Sequence, residues 1–336
     1  MLIIGLPGKT LTGADRARLA VPQVSGVILF SRNFESRDQV TALIDDIRGA
    51  RPDPFLVCVD QEGGAVQRFR DGFTRLPALA KLGALHARDP HAAIARAEEH
   101  AWLMASEMRA VGIDLSFAPV VDLARGNRAI GDRAFDADPQ VVSELAQAYL
   151  RGMRLAGMAA TIKHFPGHGS IAEDTHFDPA VDTRTLADLR DTDLVPFADA
   201  IAAGAEAVMM AHVTYPAVDS HAAGFSRVWI EDVLRGELGF RGVVIGDDIG
   251  MAAAESVGGI AARIEAHLLG GCDLLLACGT SIVDEAIAAS AQATPCDPEQ
   301  LARLQGEVAQ TWESLAGNPQ RDEFIARVSR LEQEPS

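Results

Sequence analysis

The sequence predicts a (β/α)₈ barrel of the TIM type, read as a single catalytic domain over residues 1–336 with C-terminal helices packing on it. Three observations predict it. Eight short apolar runs recur along the chain. Amphipathic helical patterns separate them, the alternation expected of a parallel sheet with helices outside. The polar residues able to do chemistry cluster at the C-terminal ends of the runs, where a barrel keeps its site. A doubly wound open sheet is the alternative, weakened because no Gly-rich phosphate loop follows any run.

In chain order the runs are MLIIGL (1–6), GVILF (26–30), FLVCVD (55–60), IDLSFAPVVD (113–122), AATIKH (159–164), AEAVMMAHV (205–213), GVVIGDD (242–248) and CDLLLACG (272–279). Runs apolar on both faces are what strands buried between a barrel interior and its helices require. Asp138-Pro139 reads as N-cap and first residue of a helix. Further helices are expected over 88–110 and 185–203, and two surface helices after 295. Strand three ends in Asp60, strand four in Asp122, strand five in Lys163-His164, strand six in His212 and strand seven in Asp247-Asp248.

Composition narrows the function classes. The net charge is -17 at pH 7, and such a surface repels phosphate backbones, so nucleic acid is not an expected partner. No stretch is apolar for the ~20 residues a membrane helix needs. The start, MLIIGLPGKT, has no basic region and too short an apolar run for a signal peptide. The four cysteines (Cys58, Cys272, Cys278, Cys296) show no framework spacing and read as reduced core thiols. A cytoplasmic protein is therefore expected, as a monomer or weak homo-oligomer.

The segment KHFPGHGSIAEDTH (163–176) carries three histidines. His164 and His168 are four apart, but Pro166 and Gly167 between them make this a loop rather than a metal-binding helix face. In Asp174-Thr175-His176 a carboxylate and an imidazole can face one way, which fixes the ring's tautomer and favours its protonated form. Such a histidine can donate a proton near neutral pH and recover it. Asp247-Asp248 supply carboxylates at another strand end. Adjacent strand residues point to opposite faces, so only one should face the barrel mouth. Arg68, Arg133 and Lys163 are the cations expected near the site, suited to polar or anionic ligand groups.

These residues carry a resemblance. The chain resembles glycoside hydrolase family 3, in its single-domain bacterial β-N-acetylhexosaminidase branch of peptidoglycan recycling. The matching stretches are GVILFSRNF (26–34), VDQEGGAVQRF (59–69), FAPVVD (117–122), AIGDRAF (129–135), KHFPGHG (163–169), DTH (174–176), AHVTYP (211–216), FSRVWIEDVLRGELGFRGVVIGDDIGM (225–251) and GGCDLLLACG (270–279). The resemblance implies a retaining exo-β-N-acetylglucosaminidase working through a covalent glycosyl-enzyme. Asp247 would be the nucleophile and Asp174–His176 the acid/base pair. Asp60, Arg68, Arg133, Lys163 and His164 would bind the N-acetylglucosamine ring. No metal or organic cofactor is implied, and the substrate would be a small carbohydrate or muropeptide such as an N-acetylglucosaminyl-anhydro-N-acetylmuramoyl peptide. Gly246 and Gly250 stand where the family pattern Ser-Asp-Asp-Leu-Ser-Met has serines. Two other readings remain open at this point: a metal-dependent hydrolase on the same barrel, and a non-catalytic sugar-binding barrel.

Overall fold

The computed structural model describes residues 1–52, 54–172, 180–306 and 310–333. Each of the eight runs yields a strand: β1 Leu2–Gly5, β2 Val24–Leu29, β3 Leu56–Val59, β4 Leu115–Ser116, β5 Thr161–Phe165, β6 Ala207–Met210, β7 Val243–Gly246 and β8 Leu274–Ala277. They pair in parallel in the order β4-β3-β2-β1-β8-β7-β6-β5. The seam between β4 and β5 is joined by a parallel bridge from Val120 to Lys163, with Thr161 N–H donating to Ala118 O at 2.9 Å and Val121 N–H to Lys163 O at 2.9 Å. β4 is short because Pro119, which has no N–H, interrupts its ladder. The expected barrel is thus formed.

Strand periodicity sorts the core into two layers. Ile3, Ile28, Leu56, Cys58, Leu115, Met209, Ile245, Leu274 and Leu276 pack together inside the barrel. Their neighbours Leu2, Ile4, Val27, Val57, Val208, Val244 and Leu275 turn outward against the helices. Burial of apolar side chains on both faces explains why the strands read as continuous apolar runs.

The helical layer includes α1 Gly13–Leu19, α2 Arg37–Ala50, α3 Pro90–Ala110, α4 Pro139–Leu155, α5 Leu194–Ala202, α6 Val228–Glu237, α7 Ile260–Gly270 and α8 Val283–Ala289. Asp138 caps α4, its side chain accepting from Gln140 N–H with Pro139 in the first turn. The helix expected over 185–203 is split into Leu186–Arg190 and α5. The break falls at Asp193, whose buried carboxylate turns inward to Arg184 at 2.6 Å.

The tail also differs from expectation. Its described residues form three α-helices, α9 Pro298–Leu304, α10 Trp312–Ala316 and α11 Pro319–Val328, and a closing 3-10 turn, Ser329–Gln333. Two of them cover the outer layer: Arg321 on α11 pairs with buried Glu107 of α3 at 2.6 Å, and Phe324 stacks edge-on against Trp102. The third, α9, leaves Pro298, Glu299, Ala302 and Arg303 exposed and packs on the barrel through two leucines. Its Leu301 and Leu304 join the barrel-interior cluster, stopping the end of the barrel opposite the site. Among the described residues, no helix is long and apolar enough to cross a membrane.

Candidate active site

A cavity of about 380 Å³ opens at the C-terminal ends of the strands, and Asp60, Arg68, Arg133, Lys163, His164 and Asp247 all line it. These are six of the eight residues singled out in the sequence. Asp174 and His176 lie outside the described residues. Apolar lining comes from Ile28, Phe30, Met209, Met251 and Leu276. Lys163 and His164 are neighbours, as are Asp247 and Asp248, yet all four line the cavity. Strict alternation allows only one of each pair. At β5 the ladder slips in register between Ile162 and Phe165. Asp247 and Asp248 follow the last paired residue of β7, Gly246, where the pleat no longer dictates direction.

One wall is a network of ions. After β3 the chain forms a tight hairpin, Gln61–Gly63 against Val66–Gln67. Gly63 sits at φ 111°, and a Cβ there would lie 2.6 Å from Pro77 O, so only glycine fits the turn. Buried Gln61 ties the hairpin down: its Oε1 accepts from Arg68 N–H and Phe69 N–H, and its Nε2 donates to Phe69 O. This presents Arg68, 3.6 Å from Asp60 Oδ2 and over the Phe30 ring. Glu62 is the centre of the wall. Its carboxylate accepts from Arg133 Nε and Nη2, both at 2.8 Å, and pairs with Lys163 Nζ at 2.6 Å. Lys163 Nζ also donates to Asp60 Oδ1 at 3.1 Å. Burial works against each charge here, but the partners outweigh it. Arg133 and Lys163 hold the Glu62 carboxyl well below the usual range, and Asp60 and Glu62 hold the Lys163 ammonium above its own.

His164 is fixed from below. Asp122, at the end of the β4 segment, accepts from His164 Nδ1–H at 2.7 Å, and takes backbone N–H bonds from His164 and His168. Burial would raise the Asp122 carboxyl; His164 outweighs it and holds it low. With Nδ1–H bonded to a carboxylate, Nε2 is the ring nitrogen that His164 can offer a ligand in the cavity it lines.

The opposite wall carries the adjacent carboxylates. Asp247 Oδ1 accepts from Asp248 N–H at 2.8 Å. Burial pushes its carboxyl up, but His164, His212, that N–H and Lys163 together bring it below the ordinary value. Asp248 behaves in the opposite sense. Its Oδ1 accepts from Gly250 N–H at 3.0 Å and Cys278 N–H at 3.1 Å, yet burial dominates and raises it. His212 approaches Asp248 O with Nε2 at 3.2 Å, and burial lowers its pKa.

Glu62, Asp122 and His212 belong to this arrangement, although sequence reasoning gave none of them a role. Charge balance was a signal for Glu62: Arg68, Arg133 and Lys163 could not all be answered by Asp60. Asp122 and His212 both end predicted strands, the position that marks function in a barrel. Among the described residues, no group of three or more His, Cys, Asp and Glu side chains is arranged to hold a metal ion.

The chain matches the glycosyl hydrolase family 3 N terminal domain over residues 6–305. A beta-hexosaminidase of Stenotrophomonas maltophilia (strain R551-3) is 60% identical over 94% of this chain and 94% of its own length. One from Xanthomonas campestris pv. campestris (strain B100) is 56% identical over 98% of this chain and 100% of its own. Among solved structures, NagZ from Neisseria gonorrhoeae in complex with N-trifluoroacetyl-D-glucosamine superposes with a TM-score of 0.90 at 36% identity, covering 98% of this chain and 97% of that one. The chain therefore belongs to glycosyl hydrolase family 3, as a glycoside hydrolase of the β-hexosaminidase type.

Proposed function

We propose that the protein is a retaining exo-β-N-acetylglucosaminidase that removes terminal non-reducing N-acetylglucosamine from N-acetylglucosaminyl-anhydro-N-acetylmuramoyl peptides. The observation that carries this reading is the convergence of Asp247 with Asp60, Arg68, Arg133, Lys163 and His164 on one cavity. Sugar hydroxyls need donors and acceptors in fixed positions, and the self-paired ions of the Glu62 wall supply both. A nucleophile must be ionised, and the lowered carboxyl of Asp247 meets that need.

In the first step an Asp247 oxygen bonds to the anomeric carbon as the glycosidic C–O bond breaks. His176 gives its proton to the departing oxygen, and Asp174 orients the ring. In the second step His176 takes a proton from water, whose oxygen attacks the same carbon and frees the Asp247 carboxylate. Two inversions leave the configuration retained. The usual spacing of two carboxyl groups does not apply, since the acid is an imidazole. The residues named complete the cycle without a metal. The solved relative with N-trifluoroacetyl-D-glucosamine supports an N-acylated amino sugar as the ligand. The muropeptide aglycone and a cytoplasmic place in peptidoglycan recycling are part of the same proposal; four free thiols, two of them buried, are in keeping with a reducing compartment.

Hydrolysis of a chromogenic aryl N-acetylglucosaminide with and without EDTA tests the reaction class. Turnover should be equal in both. Loss with chelator would instead favour a metal-dependent hydrolase. A leaving-group series tests the acid. His176→Ala should impair poor leaving groups more than activated aryl groups by about 10²–10⁴-fold, the usual worth of proton donation. An equal loss across the series would remove His176 from that role.

A further inference from the structure

We propose that Gly246 and His267 form an interlocked positioning pair for Asp247: the buried imidazole occupies the room a side chain at 246 would need, and so fixes the strand end from which Asp247 projects. The inference rests on Asp247 as the attacking carboxylate.

The approach at Gly246 is close, and the atoms it meets belong to a side chain that is itself held. A Cβ on Gly246 would lie 2.6 Å from His267 Cδ2, 3.0 Å from its Nε2 and 2.9 Å from Leu275 Cδ2. Contacts this short force something to move. His267 cannot swing aside easily. It is fully buried on α7, and its Nδ1–H donates to Arg263 O at 2.8 Å. Its ring stands edge-on to Phe225 with centroids 4.5 Å apart, and to His212 at 5.4 Å. His212 in turn reaches Asp248 O. One turn earlier on α7, Arg263 donates from Nη1 to Ile249 O at 2.7 Å and from Nε to Gly258 O at 2.8 Å. Helix α7 thus holds the chain before Asp247 through His267 and the chain after it through Arg263.

Packing alone does not account for a histidine here. His267 Nε2 is buried with no hydrogen-bond partner among the described residues, and an unpaired buried nitrogen is unfavourable where a leucine would fill similar volume. What the imidazole adds is a plane fixed by its Nδ1–H bond, with its thin edge turned to Gly246. Gly250, the other glycine beside the aspartates, is a useful contrast. A Cβ there would come no closer than 3.2 Å, to the flexible tip of Ile282. The two glycines look alike in sequence but only one is locked.

The test is a double-mutant cycle of Gly246→Ser, His267→Ser and the double variant. It is read as kcat and KM on an aryl N-acetylglucosaminide together with melting temperature, with Gly250→Ser and Asp247→Asn alongside. Gly246→Ser should lower kcat by up to about 10²-fold with little change in KM, since displacing a reacting group by an ångström has that effect. His267→Ser should lose less. The double variant should recover most of the kcat lost by Gly246→Ser, because the serine enters vacated space, and that non-additivity is the signature of contact. Gly250→Ser should stay within a few-fold of wild type. If Gly246→Ser fails to fold, a double variant that folds and turns over is itself the rescue, and one that does not overturns the proposal. A Gly246→Ser enzyme with wild-type kcat, or a double variant no better than the product of the singles, also overturns it. Asp247→Asn separates the two levels: if it is inactive while the cycle is additive, only the positioning pair fails, and if it stays active, the nucleophile reading and this inference fall together.

Discussion

The two walls of the cavity treat charge in opposite ways. On the Asp60 side, ions answer one another: Glu62 grips Arg133 with both oxygens and Lys163 with one of them, and Lys163 also holds Asp60. On the Asp247 side, the Asp247 carboxylate receives one hydrogen bond from among the described residues, from its neighbour's backbone, and is kept ionised by histidines and Lys163 at a distance. The difference follows from what each wall must do. A grip on a neutral sugar needs side chains whose orientation is settled before the ligand arrives, and mutual ion pairs provide it. A nucleophile needs the reverse, a lone pair not engaged elsewhere.

The largest expected effect breaks the second wall. Asp247→Asn removes the attacking oxygen's charge but leaves its shape, so kcat should fall on the order of 10⁴-fold or more, the scale on which removing one member of a catalytic unit acts. Thermal stability at neutral pH should fall slightly, because a carboxyl that the fold holds below its ordinary value contributes stability while it is ionised. Residual activity near wild type in a steady-state assay would take Asp247 out of the nucleophile role and dissolve the contrast between the walls.

Breaking the first wall should do something different in kind. Glu62→Gln leaves Arg133 and Lys163 facing each other with only Asp60 to share, and deleting one partner of a buried ion pair costs about 3–5 kcal/mol of stability. KM should rise more than kcat falls. The change should also appear in pH dependence. Because the fold holds the Glu62 carboxyl low, its stabilisation is present above the unfolded pKa, about 4.3, and is lost as pH falls through the folded value. Asp122 and Asp247 contribute in the same sense. Denaturant midpoints measured from pH 7 downward should therefore fall less steeply for Glu62→Gln than for wild type. Parallel curves would mean that Glu62 is not the keystone of its wall.

Asp122→Asn is a smaller perturbation, since an amide oxygen in place of Oδ1 can still accept the two backbone N–H bonds. The His164 ring N–H loses its charged acceptor, which costs about 1–3 kcal/mol for a buried group. With His164 less firmly oriented, KM for the N-acetylglucosaminide should rise several-fold. An unchanged KM would place His164 outside the grip.

Much of this was legible in the chain, and the exceptions have physical causes. Strands buried on both faces must be apolar throughout, so all eight declared themselves, and Asp60, Lys163, His164 and Asp247 stood at their ends. Periodicity failed where the pleat ends. Lys163 beside His164, and Asp247 beside Asp248, share the cavity because of a slipped register in one case and chain leaving the sheet in the other. The tail was legible only as helices packing on the barrel: Leu301 and Leu304 give α9 an apolar stripe, but a stripe does not say whether it meets an outer helix or the barrel interior. Glu62 gave no signal beyond charge balance and His267 gave none, because their importance is relational. One is defined by cations about 70 and 100 residues away, the other by the missing Cβ of Gly246.

The smallest expected effect sharpens the comparison within the second wall itself. Asp247 and Asp248 are adjacent, half-buried and chemically identical, yet the fold lowers one carboxyl and raises the other. Asp248 works as a brace, its Oδ1 accepting from Gly250 N–H and Cys278 N–H across the gap between β7 and β8. An amide oxygen can accept both bonds, so Asp248→Asn should keep the brace and lower kcat by less than about tenfold, far short of what loss of a member of the catalytic unit produces. Its effect on stability should have the opposite sign to that of Glu62→Gln. A carboxyl raised in the fold opposes folding once pH climbs past its unfolded pKa of about 3.9, because the folded state must then either hold a proton or bury a charge. Removing that carboxyl should leave neutral-pH stability unchanged or improved, and the gain should vanish below the unfolded value. Denaturant midpoints at pH 7 and pH 3.5, paired with kcat, decide it. A kcat loss as deep as that of Asp247→Asn would mean the two carboxylates act on the substrate together, and the wall would then hold a reacting pair instead of one nucleophile and its brace.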